Sequence, residues 1–290
     1  MMKLSIFILL LLAWSVLYAQ DSDHFRNFHG IKQERNHYFE AEGYEIYIRT
    51  APYYLNEKGI TKIIKQYDMK DSQRTDTLIG NEAIMLVKKE VKHGFELVSV
   101  CYLISKDDYS TTVIGFAGFN RNLSLEHLLM QAWLDGTIPK NIYTTPIVGD
   151  SFDFIGRKIK LGGTCQWMSP HNIQCPNNGQ MSWSLFNSEE AAMANRDLHV
   201  EIVKNKNLTS VLEDTWVPVT FEGVQVKARK LKVKINVPKL IMGGSNILIV
   251  YYITANVRDH YVTCALSQYT DDAADNTLAG LLQEVMSLDE

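Results

Sequence analysis

Apolar and polar positions along the chain follow two periods, and each period recurs in both halves. Residues 82–91 (EAIMLVKKEV), 95–104 (FELVSVCYLI) and 109–118 (YSTTVIGFAG) are short runs rich in β-branched and aromatic side chains and bounded by turn residues, the signature of strands. Lys92-His93-Gly94 between the first two predicts a tight hairpin, with Gly94 in the left-handed position. The same succession returns at 224–235 (VQVKARKLKVKI), 247–253 (ILIVYYI) and 260–269 (HYVTCALSQY). Within it, Lys230, Lys232 and Lys234 alternate with Leu231, Val233 and Ile235, as in an antiparallel sheet with one solvated face. The period then changes. Leu125, Leu128, Leu129, Ala132 and Trp133 fall at i, i+3, i+4, i+7 and i+8, and so do Leu278, Leu281, Leu282, Val285 and Met286. Each set forms one apolar stripe on an α-helix. Ser124 and Thr277 are the predicted caps, and Gly136 and Pro139 stop the first helix. A further short helix is predicted within 187–197, opened by Ser188 with Glu189 and Glu190 in its first turn, as a flap over the sheet.

A local phrase is also repeated. FEAEGYEIYI (39–48) and FDFIGRKIKL (152–161) match at Phe39 and Phe152, Gly43 and Gly156, Ile46 and Ile159, with an acid after each Phe (Glu40, Asp153). YLIS at 102–105 stands against YYIT at 251–254. Strand, irregular region, antiparallel strands and helix thus occur twice in one order. The prediction is an α+β chain of two tandem, internally duplicated domains, each an antiparallel sheet covered by its C-terminal helix. The first repeat spans 20–140 and the second 141–290, with the boundary in TIPKNIYTTPIVGD at 137–150. The spacing between matched positions widens along the chain, so the second repeat carries an insertion around 165–219, between Cys165 and Val219. In arrangement the module is similar to the PsbP/Mog1-like fold, a sheet flanked by helices; the likeness is one of shape and implies no activity.

Composition adds the destination. The 290 residues are 46% hydrophobic and 21% charged, an ordinary globular balance. Lys3, an apolar run from Leu4 to Val16 and Ala19 before a polar stretch predict a secretory signal over 1–19. That run is shorter than the roughly 20 apolar residues a membrane span needs, and no later run is long enough either. Removal of the leader takes Lys3 away and leaves a mildly acidic exported protein, periplasmic or secreted. Such a charge gives no global attraction to nucleic acid.

In an oxidising compartment, Cys165 and Cys175 in CQWMSPHNIQC predict a disulfide. Cys101 and Cys264, inside strand-like runs, read as buried thiols. Two competing readings leave Cys165 and Cys175 as free thiols or join them with His171 as metal ligands, but for the latter the nearest fourth ligand in sequence is His199, at no zinc-site spacing. No metal or other cofactor is expected. Trp167 and Trp183 flank the constrained loop, where they either cover a core edge or form a recognition surface.

GDSF at 149–152 resembles the Gly-Asp-Ser block of a lipase and esterase family, which would make Ser151 a nucleophile. Phe152 replaces the Leu that follows in that family, and no Asp-x-x-His appears near the C-terminus to serve it. Phosphate-loop, dinucleotide-binding, zinc-protease and EF-hand patterns are absent from the sequence. Acidic clusters at 107–109 and 271–275 fall in predicted turns. The chain therefore predicts a non-catalytic binding or envelope-assembly protein, with a protein or small-molecule partner and a binding face of Trp167, His171, Trp183 and Trp216. Two alternatives stay open: a carrier holding a small apolar ligand between sheet and helix, and an enzyme using His171 or His199 between the halves.

Overall fold

The computed structural model describes residues 24–77, 83–107, 109–144, 150–161, 165–176, 178–237, 244–270 and 277–289. The predicted leader and the acidic cluster at 271–275 lie outside them. The first sheet contains β1 (His29–Gln33), β2 (Asn36–Ala41), β3 (Tyr44–Ala51), β4 (Gln73–Thr77), β5 (Ala83–Lys92), β6 (Phe95–Asp107) and β7 (Ser110–Gly118), in the order β1-β2-β3-β7-β6-β5-β4. All its pairs are antiparallel. The β5–β6 turn forms as predicted, with His93 and Gly94 both at positive φ. Helix α1 (Glu57–Gln66) links β3 to β4, and α2 (Leu123–Leu134) follows β7.

Side-chain alternation explains why this sheet carries a helix on each face. On β6, Val98, Val100 and Tyr102 point to the face where Leu125, Leu129 and Met130 of α2 are buried. Cys101 and Leu103 point to the other face, against Ile60 and Ile63 of α1. The expectation of a single helix-covered face was therefore too simple. In the period-2 run of β6 both parities are apolar, which requires cover on both sides.

The second sheet contains β10 (Gln166–Ser169), β11 (Asn172–Cys175), β12 (Gly179–Phe186), β13 (Thr209–Phe221), β14 (Val224–Ile235), β15 (Ile247–Val257), β16 (His260–Thr270) and β17 (Met286–Leu288). Their order is β10-β11-β12-β16-β15-β14-β13-β17. Helix α3 (Glu189–Lys204) links β12 to β13, and the single turn α4 (Gly280–Gln283) precedes β17. Both sheets thus share one order of connection: a three-strand meander, a helix, then a four-strand meander whose last strand docks on the third. The molecule is mostly antiparallel sheet with few helices.

Several sequence expectations change. The repeated phrase encodes one local object, a two-residue hairpin turn. Glu42 and Gly43 sit at φ 52° and 81°, and Ile155 and Gly156 at 52° and 82°. In each, the acid after Phe accepts the glycine amide, Glu40 from Gly43 at 2.8 Å and Asp153 from Gly156 at 2.9 Å. The placements differ. The first hairpin is β2–β3, inside the first sheet; the second is β8 (Ser151–Phe154) with β9 (Arg157–Lys160), a separate two-stranded piece outside the second sheet. Residues 165–219, expected as an insertion, supply β10–β12, α3 and most of β13, which occupy the places that β1–β3, α1 and β4 hold in the first sheet.

Helix α2 forms as predicted, but its cap is Asn122, whose side chain accepts from the Leu125 amide. The second apolar stripe is buried without a second long helix. Leu278, Leu281, Leu282, Val285 and Met286 all enter the core, yet the backbone makes one turn and then pairs with β13 as β17, at Phe221 with Met286 and Val219 with Leu288. A free strand edge satisfies this backbone in extended form. Helix α3 is longer than 187–197 and is no flap. Ala192 and Val200 are fully buried against the sheet, and Thr263 Oγ1 donates to the Ala192 carbonyl at 2.6 Å.

Candidate functional site

On the α1 face of the first sheet, α1 covers β5–β7 and the Tyr47–Ala51 end of β3; over β1, β2 and the start of β3 the second half takes its place. Asn27 Nδ2 donates to Asn187 Oδ1 at 2.8 Å, Arg26 donates to the Asp259 carbonyl, and Asn187 Nδ2 donates to Glu42. His29 meets Trp183 edge-on at 6.3 Å between ring centres.

Beside this junction opens a cleft of about 510 Å³. One wall is a row across the first sheet. Ile31, Tyr38, Tyr47, Gly115 and Cys101 stand opposite one another on β1, β2, β3, β7 and β6. The Tyr47 ring lies across Gly115, so closely that a Cβ there would come within 2.1 Å of the Tyr47 Cζ. Tyr47 Oη is 3.2 Å from Cys101 Sγ, and Tyr67 stacks on Tyr47 at 5.5 Å and 8°. Burial raises both phenols above the ordinary tyrosine range, in Tyr47 reinforced by Cys101. Arg49, two residues further on the same face, lies 4.9 Å over Tyr38 and 5.4 Å over Tyr47. Its Nε is buried without a hydrogen-bond partner, and no carboxylate among the described residues forms an ion pair with it.

The opposite wall is the β10–β11 hairpin, held by the disulfide between Cys165 and Cys175. Trp167 packs edge-on to Phe152 at 5.8 Å, while its indole Nε1 is buried and unpartnered. Met168 is 59% exposed on the rim. His171 faces Trp183 edge-on at 6.5 Å, its Nδ1 without a partner. Burial, with His29 and His199 nearby, pulls its pKa down to about 3. Burial and His260 pull His29 down to about 4. Both imidazoles are neutral across the physiological range.

Of the four residues expected to share a binding face, Trp167 and His171 come together in the cleft. Trp183 does not contribute a surface: it is 3% exposed, stacked on Phe152 at 5.3 Å inside the second core. Trp216 is 49% exposed but sits on β13, six strand positions from β10, roughly 29 Å away at about 4.8 Å per strand. Arg196 lies over it at 5.0 Å. Tyr38, Tyr47 and Arg49 also line the cleft and were not among the expected residues; for Tyr47 and Arg49 the sequence signal was the alternation in YEIYIRT, where they oppose Ile46 and Ile48.

His171 and His199 share a pocket of about 50 Å³ under α3 with Ser184, Asn195 and Thr263. No hydrogen bond joins either histidine to a carboxylate among the described residues. Ser151 opens β8 opposite Lys160. Among the described residues, no group of three His, Cys, Asp or Glu is placed to hold a metal ion. Cys101 and Cys264 are free thiols, buried, with pKa values raised by desolvation.

No protein-family model matches the chain, and no curated protein matches it. Among solved structures it is similar to the apo structure of immunity protein TplEi of T6SS from Pseudomonas aeruginosa, at 10% identity over 90% of this chain and 97% of that one, with a TM-score of 0.24. It is also similar to a chain of the Tle4–Tli4 complex, at 11% identity over 90% and 97%, with a TM-score of 0.25. TM-scores this low establish no shared fold and carry no function to this chain.

Proposed function

We propose that this chain is an exported, non-catalytic binding protein that engages a partner through the cleft between β1–β3 and the β10–β11 hairpin. The observation that carries the reading is the Arg49 guanidinium, laid over Tyr38 and Tyr47 with no ion-pair partner among the described residues, across from Trp167 and Met168. Arg, Tyr, Trp and Met are the side chains that concentrate binding energy at protein interfaces. The tyrosine row is already fixed by Gly115, Cys101 and Tyr67, so little side-chain freedom is lost on binding. The leader-like sequence at 1–19 and the Cys165–Cys175 disulfide support an oxidising, extracytoplasmic location. The shared order of strands supports the chain as a duplicated sheet-and-helix module. Carriage of an apolar molecule under α3 is disfavoured, because the pocket there measures only about 50 Å³, where ligand sites run to roughly 300 Å³ or more.

Capture of a stoichiometric partner from the envelope fraction, compared between variants, tests this. The Tyr38→Ala/Trp167→Ala double variant should lose the partner and Trp216→Ala should keep it. The reverse pattern overturns the reading.

A further inference from the structure

We infer that Arg49 is the seat for a carboxylate side chain from an extended segment of a partner protein, an inference that rests on the cleft being the binding site. Among the described residues Arg49 has no ion-pair partner, and while its Nε is buried its two Nη groups are not, so they are the donors a ligand can reach. A carboxylate meets the two Nη groups with two parallel N–H···O bonds. Tyr38 and Tyr47 hold the plane of Arg49 from one side, leaving its remaining donors toward the cleft. A protein segment fits better than a small anion, because Tyr38, Tyr47, Trp167 and Met168 offer apolar surface beside Arg49 and Glu45 adds a charge of opposite sign.

The second charge fixes direction. Glu45 lines the same cleft on the same face of β3, four residues from Arg49, roughly 13 Å away along the strand. Glu45 repels an acid at its end and accepts a cation. The complementary segment therefore has an acidic residue, apolar residues over Tyr47 and Trp167, and a basic residue four positions away.

The probes are two capped peptides, Asp-Leu-Val-Leu-Lys and Asn-Leu-Val-Leu-Lys, titrated into the full mature chain while the Arg49 Nε–Hε resonance and tryptophan fluorescence are followed. The acidic peptide should move the Arg49 signal and bind about tenfold more tightly than its amide analogue, a difference of about 1.4 kcal/mol. Arg49→Gln should abolish that preference and Arg49→Lys should leave an intermediate one, with thermal unfolding confirming that both variants fold. Equal binding of the two peptides, or a preference that survives Arg49→Gln, overturns the carboxylate seat while leaving the cleft as a binding site. Failure of both peptides to perturb Arg49 or the tryptophans also overturns it. The cleft reading then stands or falls separately, on capture by the Tyr38→Ala/Trp167→Ala variant.

Discussion

The Glu40 carboxylate, fully buried where the two halves meet, accepts the Gly43 amide at 2.8 Å, and its second oxygen has no hydrogen-bond partner. Desolvation pushes its pKa up to about 8, opposed by the Ser184 hydroxyl and the Gly43 amide and assisted by Glu45 and Glu42. The folded state therefore prefers the protonated acid. Its full contribution to stability holds at low pH and is lost as pH rises from about 4.5 to about 8. Glu40→Gln keeps an acceptor for Gly43 and should flatten this alkaline decline, raising Tm at pH 8 relative to the parent. A Tm–pH profile that keeps its slope in the variant would contradict the assignment.

His29 and His171 act in the opposite sense. Their folded pKa values, about 4 and about 3, lie below the ordinary 6.5, so stability they allow above 6.5 is lost as pH falls toward those values. His29→Gln should reduce the loss of Tm between pH 6.5 and 4, measured by calorimetry.

Gly115 is where the Tyr47 ring needs a bare backbone. Gly115→Ala should cost about 1–3 kcal/mol, because a methyl group displaces the ring and its Cys101 and Tyr67 contacts. Gly244→Ala is the control, since a Cβ there meets nothing within 4 Å. Urea unfolding of both variants reads the difference.

The disulfide closes a loop over a sequence separation of 10 residues, for which the chain-entropy model gives roughly 3 kcal/mol. Reductant, or Cys165→Ser/Cys175→Ser, should lower stability by up to that amount and loosen the hairpin that forms one cleft wall. Buried Cys101 and Cys264 should stay unreactive to a thiol reagent until the chain unfolds.

Trp183, in the second core, and Trp216, exposed on β13, should differ in what they contribute to stability. Trp183→Ala empties a core position and should cost roughly 3–5 kcal/mol. Trp216→Ala loses only surface contacts with Arg196 and Arg229 and should cost less than about 1 kcal/mol, by chemical denaturation.

How much of this was legible depended on how far each signal reached. Strands β5–β7 and β14–β16 were readable because β-branched runs and turn residues act within a few positions. Helix α2 was readable because its stripe is long and stopped. The stripe at Leu278–Met286 misled, since the same apolar spacing is buried equally well by one helical turn followed by an edge strand. Helix α1 was missed: Gly59 interrupts its first turn, and only Ile60 and Ile63 are deeply buried in its body. The matching hairpins encode a turn, through Glu40 with Gly43 and Asp153 with Gly156, but not which sheet receives it. At the site, the constrained loop advertised Trp167 and His171. Arg49 did not stand out, because a charged residue alternating with isoleucines looks like a solvated strand face until the second half is seen above it.

The cleft itself is tested most directly by photo-crosslinking from its rim. A photoreactive side chain replaces Met168, beside Trp167, or Leu212, exposed on the distant β13, and each protein is mixed with the purified partner from the capture experiment. Crosslinks from position 168 and none from 212 are predicted; crosslinks from 212 with none from 168 would contradict the account.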